Sequence, residues 1–151
     1  MTLLALWLTT FAVCVVGAIV PFVNTEIYLL SVSAVSPTNF VGPLVVAATA
    51  GQMAGKIGMY LAGRGILKLK NEKVRARVTA LRDSLGHRPW VAKGTLLSSA
   101  IVGLPPLYIM SIVCGTIGMG LGSFVIIGSI GRLIHFAVVA LLPQYARYLL
   151  G

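Results

Sequence analysis

Acidic side chains are scarce in this sequence. Only three of its 151 residues are Asp or Glu, against twelve Lys and Arg, and charged residues make up 10% of the chain. A soluble domain carries about 25% charged residues. Glu26 is the only formal charge in residues 1–55, and residues 94–131 carry none. This shortage of charge argues against an ordinary soluble globular domain.

Cysteine is also rare, and the residue patterns of known catalytic sites are missing. The two cysteines, Cys14 and Cys114, lie in apolar runs without a partner at metal-ligand spacing, so we expect buried thiols and no metal site. The sequence has no phosphate-binding loop and no nucleophile with a base at suitable spacing. We therefore predict no catalytic residues, no cofactor and no enzymatic activity.

Apolar sequence makes up most of the chain. Hydrophobic residues account for 58% and the mean hydropathy is +0.96. The uncharged runs are far longer than the roughly 20 residues that span a bilayer, which predicts an all-α polytopic membrane protein with a single membrane domain over residues 1–151. The run 2–23 lacks the basic start of a signal peptide and is too long for one, so residues 1–20 are predicted as a first transmembrane helix.

Basic residues concentrate in the segment 64–93, which contains Lys68, Lys70, Lys73, Arg75, Arg77, Arg82, Arg88 and Lys93. Such clusters can bind nucleic acid. In a membrane protein the simpler cause is retention of Lys and Arg in cytoplasmic loops. We therefore predict a cytoplasmic loop and no nucleic-acid partner.

Within this segment, one helical face is apolar. Val74, Val78, Leu81 and Leu85 recur at helical spacing, and Gly86 with Pro89 can end the helix. We expect an amphipathic helix that lies on the anionic inner leaflet, with its two acids, Glu72 and Asp83, in local ion pairs.

Two apolar stretches contain residues that break helices. The first has Pro21, Pro37 and Pro43 among several polar residues, and the second has Pro105 and Pro106 followed by Gly115, Gly118, Gly120 and Gly122. Proline removes a backbone donor, and irregular backbone at membrane depth needs a covering of protein or water. We predict a re-entrant hairpin in each stretch; for the first, the alternative is an ordinary extracellular loop.

The two halves of the chain are weakly similar at an offset of 80 residues. IYLLS at 27–31 aligns with LYIMS at 107–111, and Gly51-Gln52 aligns with Gly131-Arg132. We predict two inverted repeats, 21–63 and 94–143, each a re-entrant hairpin followed by a transmembrane helix. Folds of this kind place binding sites near the bilayer midplane.

The stretch GQMAGKIGMYLAGR resembles the G-x-x-x-G-[D]-x-x-x-Y-x-x-G-R signature of the DedA family, also called the VTT or SNARE-associated domain. The matching residues are Gly51, Gly55, Tyr60, Gly63 and Arg64. NTEIYLL, with Glu26, resembles the first hairpin of that family, and LPPLYIMSIVCGTIGMGLGSF resembles its second. The Pro105-Pro106 pair and the short chain are similar to the small YqaA-type branch.

This resemblance implies a function in lipid handling. Members of the superfamily flip or scramble phospholipids or recycle polyprenyl-phosphate carriers, in some cases coupled to protons. The resemblance also implies a bacterial inner-membrane location. The chain departs from the pattern at Lys56, where the family usually has an acid, and at Ile101 and Leu107, where the second hairpin usually has arginines.

Ionisable side chains at membrane depth are costly and therefore mark candidate sites. Those within the apolar segments, with two polar neighbours, are Glu26, Lys56, Arg132, His135, Gln52 and Asn24. Gln52 and Lys56 share one helix face, as do Arg132 and His135. We hypothesise that Lys56 and Arg132 form a cationic pocket balanced by Glu26 that binds an anionic lipid headgroup or solute, with Glu26 or His135 taking up a proton.

Each of these residues also has a structural alternative. Glu26 could form only a structural ion pair, Lys56 could extend to an interface, and His135 could be a hydrogen-bonded residue between helices. For the whole protein, the alternatives are a scaffold or assembly protein without transport and a small multidrug exporter. The small number of spans favours a homo-oligomer that encloses a pathway with its copies.

Overall fold

All regular structure in the part of the chain that can be described is α-helical, which confirms the all-α prediction. A computed structural model describes residues 3–20, 23–65 and 71–150. They form α1 (Leu3–Ile19), α2 (Thr25–Val35), α3 (Thr38–Gly63), α4 (Glu72–Leu85), α5 (Pro89–Val102), α6 (Leu107–Thr116) and α7 (Leu121–Leu150). The helix-breaking Pro21 and two lysines of the basic segment, Lys68 and Lys70, lie outside the described residues.

Two of the helices, α3 and α7, are long and apolar enough to cross a membrane. In its most apolar 18-residue window α7 is only 28% buried, so most of that apolar surface faces outward. The core helix of a soluble protein would bury this surface, whereas large exposed apolar patches mark contact with a membrane or a partner. Together with the composition, this indicates a membrane protein.

Short helices follow each of the predicted breaks. α2 has 11 residues and α6 has 10, and both are shorter than the roughly 20 residues needed to span a bilayer. Before α6 the chain turns at Gly103, whose φ of 86° is readily adopted only by glycine. After α6 it turns again at Gly118, with a φ of 71°.

Two prolines, Pro43 and Pro143, do not interrupt the helices in which they lie. Pro43 was predicted to help break the first hairpin, yet it lies inside α3, and Pro143, the last residue of the predicted second repeat, lies inside α7. A proline within a helix removes one backbone hydrogen bond and crowds the preceding turn. Here the long apolar helices accommodate both, and α7 continues to Leu150.

The described residues divide into two compact units, 1–55 with 132–151 and 56–131. Each unit includes part of α3 and part of α7.

In the first unit, α3 packs closely against α1. A Cβ on Gly51 would lie 2.4 Å from the Phe11 carbonyl oxygen, and one on Gly55 would lie 2.4 Å from the Cβ of Ala18. These two signature glycines therefore allow close helix approach. The core of this unit also includes Leu6, Cys14, Leu29, Val41, Leu44, Val45, Ala48, Phe136 and Ala140.

In the second unit, the end of α3 packs against α6 and the start of α7. The fully buried Tyr60 ring stacks on Phe124 with centroids 5.0 Å apart, and its hydroxyl donates to the Met119 carbonyl. A Cβ on Gly63 would lie 2.0 Å from the Ile112 carbonyl oxygen. The Arg64 guanidinium lies 5.8 Å from the Tyr60 ring centroid, so these signature residues serve packing.

α4 has the predicted apolar face, but protein covers it. Val78 and Leu85 are buried and Val74 and Leu81 are half-buried, since α4 packs against α6. The helix therefore does not offer this face to a leaflet. The predicted ion pairs are also absent: in the part of the chain that the structure covers, neither Glu72 nor Asp83 forms a salt bridge.

Candidate functional site

The candidate site lies at the first turn of α2, in the first unit. Asn24 caps this helix, because its side-chain oxygen accepts hydrogen bonds from the backbone N–H groups of Glu26 and Ile27, at 3.0 and 3.1 Å. Side-chain oxygens in this position satisfy donors that a helix terminus leaves open. Asn24, predicted as a binding residue, therefore positions Glu26 while its own oxygen is engaged.

Glu26 pairs with a histidine from α7. The Nε2 atom of His135 lies 2.9 Å from Oε1 of Glu26. The His135 side chain is 16% exposed and that of Glu26 is 49% exposed, so the carboxylate remains open on one side. A carboxylate and an imidazole in contact can share or exchange a proton.

Arg132 precedes His135 by one helical turn and lies within electrostatic range of the Glu26 carboxylate. It is only 7% exposed, and its guanidinium carbon lies 5.6 Å from the Phe136 ring centroid. Its Nε–H finds no hydrogen-bond partner in the described structure. A buried donor without a partner is costly, so this N–H would be stabilised by an added acceptor.

Gln52 reaches the same turn from α3. Its Nε2 donates to the Thr25 hydroxyl at 2.9 Å, and the residue is 5% exposed. Its side-chain carbonyl oxygen, Oε1, is buried and lacks a donor among the described residues. Thr25 was missed in the sequence, although its position between a helix cap and the only acid of residues 1–55 was a signal.

Lys56 belongs to the second unit and is 5% exposed. This burial does not fit the alternative in which its ammonium extends to an interface. Its predicted participation in a pocket with Glu26 and Arg132 stays a prediction.

The second break, residues 100–124, contains no Asp, Glu, Lys, Arg or His. Around Pro105 and Pro106 the polar contact is local, with the Ser99 hydroxyl donating to the Pro105 carbonyl. Leu107, one of the two positions where arginine was expected from the family resemblance, is buried and apolar. The ionisable cluster therefore lies at the first break alone.

Around the first turn of α2 lie the Glu26 carboxylate, the His135 imidazole, the buried Arg132 guanidinium and the buried Gln52 amide. The Arg132 Nε–H and the Gln52 Oε1 both lack a hydrogen-bond partner among the described residues. Such a set can bind an anion that also carries a hydroxyl. No group of three or more His, Cys, Asp or Glu in the described residues could hold a metal. No family model, curated protein or solved structure matches this chain.

Proposed function

We propose that this protein is a small membrane protein of the DedA/VTT type that moves or scrambles lipid, or transports a small anionic solute, through the polar site at α2. The observation that carries the proposal is the buried Arg132, whose unpaired Nε–H lies on α7 one turn before His135, the partner of Glu26. Membrane proteins rarely keep such a group without a functional reason.

The site chemistry suits a phosphate-bearing headgroup. Phosphate oxygens would accept from the Arg132 guanidinium, which favours planar oxyanions. A hydroxyl of the ligand would donate to Oε1 of Gln52. The Glu26–His135 pair would exchange a proton as the site fills and empties, since histidine is the side chain best suited to change charge near neutral pH.

The proposed architecture is two inverted repeats with re-entrant hairpins. Support comes from the element order, because a helix of 17 residues, one of 11 and one of 26 in the first half correspond to 14, 10 and 30 in the second. Further support comes from two glycines 80 residues apart. Gly51 packs closely against Phe11 of α1, and Gly131 packs closely against Ala100 of α5.

The proposed setting is the bacterial inner membrane, with the basic segment 64–93 on the cytoplasmic side and a homo-oligomer as the working unit. The concentration of Lys and Arg in this segment supports the orientation. The proposed partners are membrane lipids with anionic headgroups.

A liposome assay tests this function. Protein reconstituted with a fluorescent phospholipid is mixed with a membrane-impermeant quencher, and lipid movement is measured as the fast loss of inner-leaflet fluorescence. We expect Glu26→Gln and Arg132→Ala to slow this phase by about tenfold, the effect of losing about 1.4 kcal/mol. Ser31→Ala is the matched control, because the one hydrogen bond of its hydroxyl among the described residues goes to the Ile27 carbonyl of its own helix.

The alternative functions give different outcomes. For a scaffold or assembly protein, Glu26→Gln and Arg132→Ala would alter abundance or assembly and leave lipid movement at the rate of protein-free liposomes. For a multidrug exporter, Glu26→Gln would abolish resistance to cationic drugs. The buried cation at Arg132 disfavours a cationic substrate and places the exporter last.

A further inference from the structure

A basic surface remains on the second unit once α4 has packed. The apolar face of α4 lies against α6, so its charged side chains lie on the exposed surface. Lys73, Arg75, Arg77 and Arg82 are all exposed on this helix, and Arg88 is exposed just before α5. We call these five residues the basic surface.

The cations of this surface form no ion pair with an acid in the part of the chain that the structure describes. Glu72 and Asp83 are their nearest acids in sequence, yet neither forms a salt bridge in the described residues. Exposed like charges repel one another and gain from an external partner of opposite sign. The partner must therefore be anionic and must cover a surface rather than a single point.

A tryptophan beside the basic surface indicates how deep this surface lies in the bilayer. Trp90, in the first turn of α5, is 82% exposed, and the Lys93 ammonium lies 5.0 Å from its ring centroid. Exposed tryptophan in membrane proteins is enriched at the headgroup level. This places the adjoining cations where lipid phosphates are found.

The surface is also concave at one end. Arg82, Asp83, His87 and Thr116 line a cavity of about 310 Å³ beside Ile117. The Arg82 guanidinium and the Thr116 hydroxyl can contact the phosphate of a headgroup, and the Asp83 carboxylate can accept hydrogen bonds from hydroxyl groups at its polar end.

We propose that the basic surface selectively binds anionic phospholipid headgroups and so gathers anionic lipid around the second unit. The apolar face of α4 takes no part, and the attraction depends on charge complementarity with Trp90 held at the interface. This inference rests on the membrane setting but does not require the protein to move lipid.

Trp90 itself can report the lipid beside it. The chain has two tryptophans, so Trp7→Phe leaves Trp90 as the sole one. This protein is reconstituted in phosphatidylcholine bilayers containing equal mole fractions of either brominated phosphatidylglycerol or brominated phosphatidylcholine. We expect at least twofold stronger quenching by the anionic lipid, and loss of this difference at about 1 M salt, where the Debye length is about 3 Å.

Two triple variants in the Trp7→Phe background separate charge from side-chain shape. Replacing Arg75, Arg77 and Arg82 with Gln should make quenching by the two lipids equal, whereas replacing the same three with Lys should preserve the preference. Circular dichroism checks that each variant keeps its helices. Equal quenching in the parent protein, or a preference that survives in the Gln variant, would overturn the proposal. Either result leaves the lipid-movement assay unaffected, so the two proposals fail separately.

Discussion

The Nε2 atom of His135 and the Oε1 atom of Glu26, 109 residues apart in the chain, lie 2.9 Å from each other. This contact joins α7 to the first turn of α2. Because Glu26 is half exposed, the pair has the character of a surface ion pair, which contributes at most about 1 kcal/mol to stability. We therefore expect loss of the Glu26–His135 pair to lower activity more than it lowers the free energy of unfolding.

A double-mutant cycle tests this expectation. Glu26→Gln and His135→Gln are each expected to slow lipid movement about tenfold while changing the free energy of unfolding by less than about 1 kcal/mol. The double variant should be no slower than either single variant, since the two residues act as one unit. Multiplicative losses in the liposome assay would show that the two side chains act independently.

Arg132→Met is expected to separate stability from function. Replacing a buried charge by an apolar side chain of similar size is often neutral or stabilising by about 1 kcal/mol or more. Glu26 keeps His135 and its contact with solvent, so no buried charge is left alone. Lipid movement should nevertheless slow by about tenfold, as expected for Arg132→Ala.

Thermal unfolding in detergent measures the stability part of this prediction. Ser31→Ala, whose hydroxyl donates to the Ile27 carbonyl of its own helix, serves as the control and should leave both the unfolding temperature and lipid movement unchanged. A lower unfolding temperature for Arg132→Met would mean that Arg132 is mainly structural.

Gly63→Ala should strongly destabilise the second unit. Its Cβ would lie 2.0 Å from the Ile112 carbonyl oxygen, and such overpacking typically costs about 1–3 kcal/mol. Gly58→Ala in the same helix meets no atom within 4 Å. It should stabilise the protein by up to about 1 kcal/mol because alanine favours a helix. Thermal unfolding of both variants in detergent measures the contrast, which vanishes if α3 and α6 do not pack in this way.

Cysteine accessibility tests the proposed hairpins. In a background with Cys14→Ala and Cys114→Ala, single cysteines through residues 18–40 and 100–122 are labelled with an impermeant thiol reagent from each side of the membrane. Under the proposal, both ends of a hairpin react from the same side, and the two hairpins react from opposite sides. If the two ends of either segment react from opposite sides, that segment crosses the membrane fully.

Sequence reasoning worked best where one short-range pattern determined the structure. The spacing of Val74, Val78, Leu81 and Leu85 predicted a helix with one apolar face, and the structure has both. It could not predict whether protein or lipid would cover that face, because this depends on the position of α6. For the same reason, the role of Pro43 was misjudged, because packing of a long helix outweighs one missing hydrogen bond.

The candidate site was predictable in part. Rarity of charge in apolar segments identified Glu26, Arg132 and His135, since burying such groups is costly wherever the chain folds. Partners were harder to predict, because the bond from Gln52 to Thr25 joins residues 27 positions apart. The engagement of Asn24 as a helix cap was not predicted either, although the order Asn-Thr-Glu before an apolar run is a known helix-start signal.

The length of α2 has a consequence for the lipid around it. Eleven residues make a helix about 16 Å long, roughly half the thickness of the hydrocarbon layer. Bilayers adjust to short protein segments by thinning, and water follows charged groups inward. Under the proposed topology, we therefore expect a local depression of the membrane surface beside Glu26, which would shorten the apolar distance that a headgroup must cross.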